Sequence, residues 1–130
     1  MTSPKLQSQP GKRYDLEDRT LNFARHALKA CQKIPRSPAS TPIINQLVRS
    51  SSSVGANYRE ANEALSKKDF IHKMRISRKE CKESTYWLEL ALDAGPALEP
   101  ELRELIRESR ELRNILTAII DKFTPNQQAL

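Results

Sequence analysis

Apolar and small residues recur at intervals of three and four along three long segments of this sequence, and that spacing constrains its fold more than any other feature. Such a period is typical of α-helices that bury one face. The three series are Ile44, Leu47, Ser51, Val54, Tyr58, Ala61 and Leu65; Phe70, Met74, Ser77, Cys81, Ser84, Leu88 and Ala91; and Leu102, Leu105, Ser109, Leu112, Leu116, Ile119 and Phe123. Only 3 glycines and 5% aromatic residues argue against a β-sandwich. The sequence therefore predicts an all-α protein.

A shorter helix is predicted ahead of these three. Asp15 is its expected N-cap, with Asp18 at the third helical position, and small or apolar residues follow at Thr20, Ala24, Ala27, Cys31 and Ile34. The segment PRSPAST interrupts the pattern, and Thr41 before Pro42 predicts the cap and first residue of helix 2, which runs toward Leu65.

Helices 3 and 4 have equally clear boundary signals. Ser66 and Asp69 form a capping-box-like pair at the start of helix 3, Gly95 and Pro96 end it, and helix 4 begins near Pro100. Four helices with short links predict an antiparallel, up-and-down four-helix bundle over residues 14–124. Residues 1–13 are predicted to be a disordered N-terminal tail, and residues 125–130 a frayed C-terminal tail.

The stretch LVRSSSSVGANYREA, Leu47 to Ala61, places four serines and a glycine inside a predicted helix. These residues cost the helix about 3 kcal/mol relative to alanine. We expect Ser51, Gly55, Ser77 and Ser84 to let helices 2 and 3 approach closely, with hydroxyls bonded to carbonyls one turn back. The alternative is a flexible or phosphate-cradling loop, which the uninterrupted apolar period disfavours.

Charge is distributed unevenly along the chain. Residues 1–82 hold 17 Lys and Arg against 7 Asp and Glu, whereas residues 83–130 hold 5 against 9. This asymmetry suggests an acidic partner such as nucleic acid. Two cysteines make no disulfide framework, and the N-terminus shows neither a secretory signal nor a membrane-spanning run. We therefore expect a cytoplasmic protein with no membrane partner.

The most informative charged residues lie on helix 3. Five basic side chains and one tyrosine are spaced alternately four and three apart, which forms one line opposite the core, about 27 Å long. They are Lys68, His72, Arg75, Lys79, Lys82 and Tyr86. The helix opens with lysines and closes with Glu89 and Asp93, the order that the helix dipole disfavours. This basic ridge is a candidate nucleic-acid contact, and a merely solvated face is the competing interpretation.

A second line on helix 3 is partly apolar and lies away from the predicted core. It contains Ile76, Glu83, Trp87 and Leu90, with Ala94 beyond them. Because aromatic residues are enriched at subunit contacts, we interpret this line as an oligomer interface. Ordinary burial within one bundle is the alternative. The adjacent carboxylates Glu80 and Glu83 are expected to pair with Arg49 or Arg59, on helix 2 or on a neighbouring subunit.

Signals for catalysis and metal binding are weak, and we predict neither catalytic residues, a cofactor nor a metal site. A di-metal bundle needs Glu-x-x-His on each of two helices, and its nearest approximation, Asp69 to His72, occurs once. Cys31 and Cys81 fall on apolar positions without a histidine one turn away. The nucleotide-binding and hydrolase motifs rich in glycine are missing from the sequence.

Two stretches, RSSSSVGANYREA and KKDFIHKMRISRKECKESTYWLELALDAG, resemble the bacterial four-helix bundle proteins related to the protein encoded by intervening sequences of large-subunit ribosomal RNA genes. The matching positions are Arg49, Ser50, Gly55, Asn57, Glu60 and Ala61 in helix 2, and Ser77, Glu80, Glu83, Tyr86, Trp87 and Leu88 in helix 3. The resemblance implies a ring-like homopentamer. It extends to accessory proteins of diversity-generating retroelements, which bind a reverse transcriptase and nucleic acid.

Taken together, these features predict a non-enzymatic, homo-oligomeric binding or scaffold protein. Its expected partner is RNA, DNA or a protein that handles nucleic acid, contacted through the basic face of helix 3. A purely structural or protein-interaction assembly with no nucleic-acid role is the alternative.

Overall fold

A computed structural model describes the backbone of residues 13–124 and the side chains of residues 16–124. This part of the chain forms four α-helices and no strand: α1 (Arg13–Lys33), α2 (Ser40–Asn62), α3 (Lys67–Ala94) and α4 (Glu99–Phe123). A short 3-10 turn, Pro96–Leu98, precedes α4. The N-cap prediction for Asp15 is wrong, because α1 begins at Arg13 and Asp15 lies within its first turn. Residue 13 is likewise helical rather than part of the predicted tail; the rest of the two predicted tails lies outside the described residues.

The helices run up and down, each packed against the next in sequence, and α1 also meets α4 to close the bundle. The direction follows from contacts between helix ends, such as Lys33 at the end of α1 with Glu101 near the start of α4 at 3.2 Å. Glu17 at the start of α1 accepts a hydrogen bond from Asn62 at the end of α2, while Arg19 reaches Glu108 on α4. The predicted antiparallel four-helix bundle is therefore confirmed.

Most of the residues predicted from the three-four spacing lie in one continuous core. Fully buried members that the spacing predicts include Leu47, Val54, Met74, Leu88, Leu102, Leu112 and Leu116, and Phe23 of α1, which it does not predict, is buried with them. Burying each large apolar side chain contributes about 1.5–3 kcal/mol, and this is the main force that holds the helices together. Ala24 is only half-buried, although its spacing places it with the core residues of α1.

Helix α2 differs from the prediction at both ends. The helix begins at Ser40 rather than Pro42, and its N-cap is Ala39, which offers no side-chain cap. In the turn before it, the Ser37 hydroxyl accepts from the Ser40 amide at 3.0 Å, and the Ser40 hydroxyl accepts from the Ser37 amide at 2.9 Å. The helix ends at Asn62, and Leu65 is 100% exposed. Leu65 fits the apolar period but follows the last helical residue, so it cannot reach the core.

The boundaries of α3 are as predicted. The Ser66 hydroxyl accepts a hydrogen bond from the Asp69 amide at 3.0 Å, and Gly95 forms the C-cap. In α4 the last apolar positions differ, since Ile120 is buried, Ile119 is half-buried and Phe123 is 37% exposed. An α-helix has 3.6 residues per turn, whereas alternating intervals of three and four average 3.5. The position that faces the core therefore shifts by one residue after several turns.

The serine stretch is helical throughout, so the loop alternative is wrong. Ser52 and Ser53 donate to the carbonyls of Val48 and Arg49 at 2.8 Å, one turn back as expected. Across to α3, the Ser84 hydroxyl donates to Ser50 at 3.0 Å and the Ser77 hydroxyl donates to the Val54 carbonyl at 2.7 Å. The small hydroxyl residues therefore join α2 to α3 at close range.

Gly55 serves a different helix pair from the one expected. A Cβ added at Gly55 would lie 2.8 Å from Thr20 Oγ1 and 3.2 Å from Thr20 Cβ, both on α1. The glycine therefore permits close approach of α1 and α2, whereas the serines permit that of α2 and α3.

Candidate nucleic-acid interface

The predicted basic ridge is present on the outer face of α3. All of its side chains are exposed: Lys68, His72, Arg75, Lys79, Lys82 and Tyr86. The alternation of four and three residues keeps them on one line because this helix is continuous from Lys67 to Ala94. The structure thus brings the predicted nucleic-acid residues together on one accessible surface.

Basic side chains on the flanks of the same helix are used within the fold. Lys73 pairs with Glu60 of α2 at 2.9 Å, and Arg78 donates to Thr117 of α4 at 3.4 Å. By contrast, Lys68, His72 and Lys82 on the ridge make no hydrogen bond or ion pair with any residue of the described part. Contacts with neighbouring helices therefore engage Lys73 and Arg78, whereas at least these three ridge residues stay available.

The ridge begins at a recess that sequence analysis missed. Lys67, Lys68, His72 and Arg75 line it together with Ile71 and Thr124, and its volume is about 430 Å³. Thr124 comes from the end of α4, which lies beside the start of α3, where Phe70 and Phe123 pack edge to face at 5.1 Å. The lysines were visible in sequence, but their combination with Thr124 depends on the packing of two distant segments.

The other end of the ridge is aromatic. Tyr86 is 56% exposed and meets Trp87 edge to face, with ring centroids 4.9 Å apart. The indole N–H of Trp87 donates to Glu83 at 2.9 Å, and the indole packs against the core. Tyr86 is therefore held beside a fixed aromatic ring while much of its own surface stays open to solvent.

The four predicted interface residues, Ile76, Glu83, Trp87 and Leu90, are all half-buried. Arg49 of α2 binds Glu80 at 3.0 Å and also pairs with Glu83, so this expected ion pair forms within one chain. The Trp87 N–H and the Arg49 guanidinium hold the pKa of Glu83 below its ordinary value, against the opposing effect of burial. The interface assignment stays a prediction.

A groove between α1 and α4 was not anticipated. Its volume is about 900 Å³, with Phe23 and Leu105 at its base. The α1 side carries His26, Lys29 and Lys33, and the α4 side carries Glu101, Glu104 and Glu108. Lys33 pairs with Glu101 at 3.2 Å across it. The periodicity of α1 and α4 gives no signal for this groove, because the groove depends on the distance between the two helices.

Neither cysteine has the surroundings of a reactive thiol. Burial raises the pKa of Cys31 to about 11 and that of Cys81 to about 12. The Cys81 thiol donates to the Ser109 carbonyl at 3.0 Å. In the described part of the chain no three metal-ligating side chains gather into a potential metal site. Asp69 and His72 are therefore not joined by further metal-ligating side chains of this part, and His72 is exposed on the ridge.

None of the helices formed by residues 13–124 combines the length and apolar character needed to cross a lipid bilayer. No curated protein shows significant similarity to the chain. A solved structure does: a protein of unknown function from the S23 ribosomal protein family of Bacteroides thetaiotaomicron is 31% identical and superposes with a TM-score of 0.75. The match covers 84% of this chain and 97% of that one.

The family model described as 23S rRNA-intervening sequence protein matches residues 12–118. This range includes all four helices up to the last turns of α4, the whole basic ridge and the predicted interface. The chain therefore belongs to the 23S rRNA-intervening sequence protein family.

Proposed function

We propose that this protein is a non-enzymatic, homo-oligomeric binding protein whose basic ridge contacts nucleic acid or a protein that handles it. The observation that carries the proposal is the contrast along α3 between the flanking bases Lys73 and Arg78, which contact other helices, and the ridge bases Lys68, His72 and Lys82, which have no such partner among residues 16–124. A partner rich in phosphate would supply the missing counter-charge. We expect the protein to act in the cytoplasm without a cofactor.

The charge order of α3 supports this proposal. Residues 67–82 carry 7 Lys and Arg against 2 Asp and Glu, whereas residues 83–94 carry 3 acids and no Lys or Arg. Bases at a helix N-terminus oppose the helix dipole and acids at its C-terminus do so too, at a cost of about 0.3–1 kcal/mol for each exposed group. Helix stability does not explain this order, but recognition of an anion by the first half of α3 does.

Self-association would make weak ridge contacts effective. The half-buried side chains of Ile76, Trp87 and Leu90 offer apolar surface next to the ridge, so subunits joined there would present several ridges side by side. Linking binding sites raises overall avidity by about 10²–10⁴ when the geometry allows simultaneous contact. The resemblance described above suggests a ring of five subunits.

A purely structural or protein-interaction assembly is the second candidate. It is favoured by the same half-buried apolar surface, which needs no nucleic acid to explain it. The two candidates differ in one measurable property, since nucleic-acid binding through phosphates must weaken as salt rises.

The decisive experiment is a fluorescence-anisotropy titration of mixed-sequence RNA and DNA at several salt concentrations. If about four side chains meet phosphates of a duplex, log affinity falls against log salt with a slope near −3.6. The variant Lys68→Glu, Lys79→Glu, Lys82→Glu should abolish binding. The matched control, Arg25→Glu, Lys29→Glu, Arg36→Glu on α1 and the following link, changes net charge equally and should retain most of it.

Each of the following results would count against the proposal. Binding that ignores salt, or that survives the ridge substitutions unchanged, would exclude the ridge as a phosphate contact. No binding of either nucleic acid by a correctly folded oligomer would favour the structural assembly. A metal found in stoichiometric amount after purification would instead reopen an enzymatic role.

A further inference from the structure

We infer that the ridge takes a single strand of nucleic acid rather than a duplex, with Tyr86 stacking on one of its bases. This inference rests on the proposed function and specifies its ligand. Three observations carry it: the shape of the ridge, the reversal of charge at its end, and the exposed aromatic ring at that point.

The ridge is one side chain wide and follows a helix of the bundle's outer surface. From Lys68 to Lys82 the charges span about 21 Å, at roughly 5 Å intervals. Each strand of a duplex winds around the duplex axis, so a single line of charges on a convex surface meets only a few of its phosphates before the strand turns away. A flexible single strand can follow the whole line, as it does in proteins that guide the backbone with basic side chains.

Beyond Lys82 the helix carries no further basic side chain, and two of its acids are paired with neighbouring helices, Glu83 with Arg49 and Glu89 with Arg110. Glu83, Glu89 and Asp93 follow, with no lysine or arginine among residues 83–94. At this boundary the ridge line continues with Tyr86, a side chain suited to a base rather than to a phosphate. A strand held by the lysines would therefore present a base, not its backbone, to this end of the ridge.

Tyr86 is suited to stacking because Trp87 contacts its ring on one side and much of its surface is open. Trp87 meets it edge to face at 4.9 Å with an interplanar angle of 79°. A single neighbouring ring covers at most one face of Tyr86, and the residue is 56% exposed. Trp87 is itself held by its hydrogen bond to Glu83 and by the core. Aromatic platforms of this kind bind bases with little preference for sequence.

The opposite end of the ridge suits the backbone. The recess beside Thr124 brings Lys67, Lys68, His72 and Arg75 around a volume of about 430 Å³. A phosphate there and a base at Tyr86 would fix both ends of the bound segment. At 3.4 Å or more per nucleotide, the 27 Å between Lys68 and Tyr86 accommodates at most about eight nucleotides.

The test compares a fluorescein-labelled oligonucleotide of about ten nucleotides, single-stranded or paired with its complement, in anisotropy titrations. The single strand should bind more tightly than the duplex. Tyr86→Ala should weaken single-strand binding at least about fivefold, the lower end of reported stacking contributions, without changing the salt slope. Tyr86→Phe keeps the ring and should bind as the wild type does. Because Tyr86 is exposed, circular dichroism of both variants should match the wild type.

The outcomes separate this inference from the proposed function. If duplex and single strand bind equally, or Tyr86→Ala has no effect, while the ridge lysine variant still loses binding, the single-strand inference is wrong and the proposed function stands. If neither probe binds, the single-strand inference and the nucleic-acid contact of the proposed function are both wrong, and only a protein partner is left for the ridge. If Tyr86→Ala reduces binding of the duplex and the single strand alike, Tyr86 is not a base-stacking platform, which also overturns the inference.

Discussion

At the scale of single residues, close helix approach depends on a few small side chains that cannot be enlarged. Gly55 is the clearest case, because Thr20 of α1 lies over it and the Thr20 hydroxyl is itself bonded to the Leu16 carbonyl at 2.7 Å. This hydrogen bond restricts rotation of the Thr20 side chain away from position 55. An alanine at position 55 would gain about 1 kcal/mol in helix propensity but would overpack the contact, at a cost of about 1–3 kcal/mol.

We therefore predict that Gly55→Ala lowers the free energy of unfolding by about 1 kcal/mol, although it removes a glycine from a helix. Urea denaturation followed by circular dichroism measures this change. Thr20→Ala combined with Gly55→Ala should recover stability relative to Gly55→Ala alone. A stabilised single variant would show that α1 and α2 are farther apart than the 2.8 Å approach indicates.

The two cysteines provide a second prediction at this scale. Since burial raises the pKa of both thiols, to about 11 at Cys31 and about 12 at Cys81, little thiolate is present at neutral pH. Both should resist a thiol-specific reagent such as Ellman's in the folded protein and react rapidly in denaturant. Fast reaction of a single thiol under native conditions would identify local opening near it.

Glu83 gives a pH-dependent prediction. Its pKa is lowered from 4.5 by hydrogen bonds from Trp87 and Arg49, so its stabilising contribution is fully present above pH 4.5 and is lost as pH falls through the lowered value. Wild type should therefore exceed Glu83→Gln in stability near neutral pH, and the difference should vanish in acid. Fluorescence of Trp87, the single tryptophan, follows unfolding in both proteins. A difference independent of pH would contradict this assignment.

At the scale of helices, local caps define where several elements begin. Ser66 caps α3 through the Asp69 amide, and Ser37 and Ser40 bond each other reciprocally in the turn that leads into α2. Such caps satisfy amides that have no partner inside the helix. Because α3 supplies the ridge and contacts both α2 and α4, its first turn positions Lys67, Lys68 and His72 at the recess.

Ser66→Ala should therefore cost about 1 kcal/mol of stability and increase hydrogen exchange in the first turn of α3. Ser66→Asp preserves the cap and is the matched control. Equal exchange rates in the two variants would show that packing, not the cap, holds this turn in place.

At the scale of the whole molecule, the apolar surface around Trp87 gives a prediction about assembly. Trp87 is half-buried in one chain, and its neighbours Ile76 and Leu90 leave apolar surface beside it. If subunits meet there, Leu90→Glu and Ile76→Glu should shift the protein to smaller species, as measured by light scattering on a sizing column. Leu28→Glu, at a residue 46% exposed on α1, is the control and should leave the assembly intact. An oligomer that survives both substitutions would place the interface elsewhere.

The sequence by itself determined the four helices, the cap at Ser66, most of the core and the line of the basic ridge. All of these depend on spacing within one segment, because a helix places residues three and four apart on one face whatever surrounds it. Packing decided the rest: that Gly55 faces α1, that Lys73 and Arg78 are paired, that Leu65 is exposed, and that Thr124 completes the recess. Those features depend on the register and distance between helices, which are set by contacts among residues far apart in the chain and leave no periodic signal in any one segment.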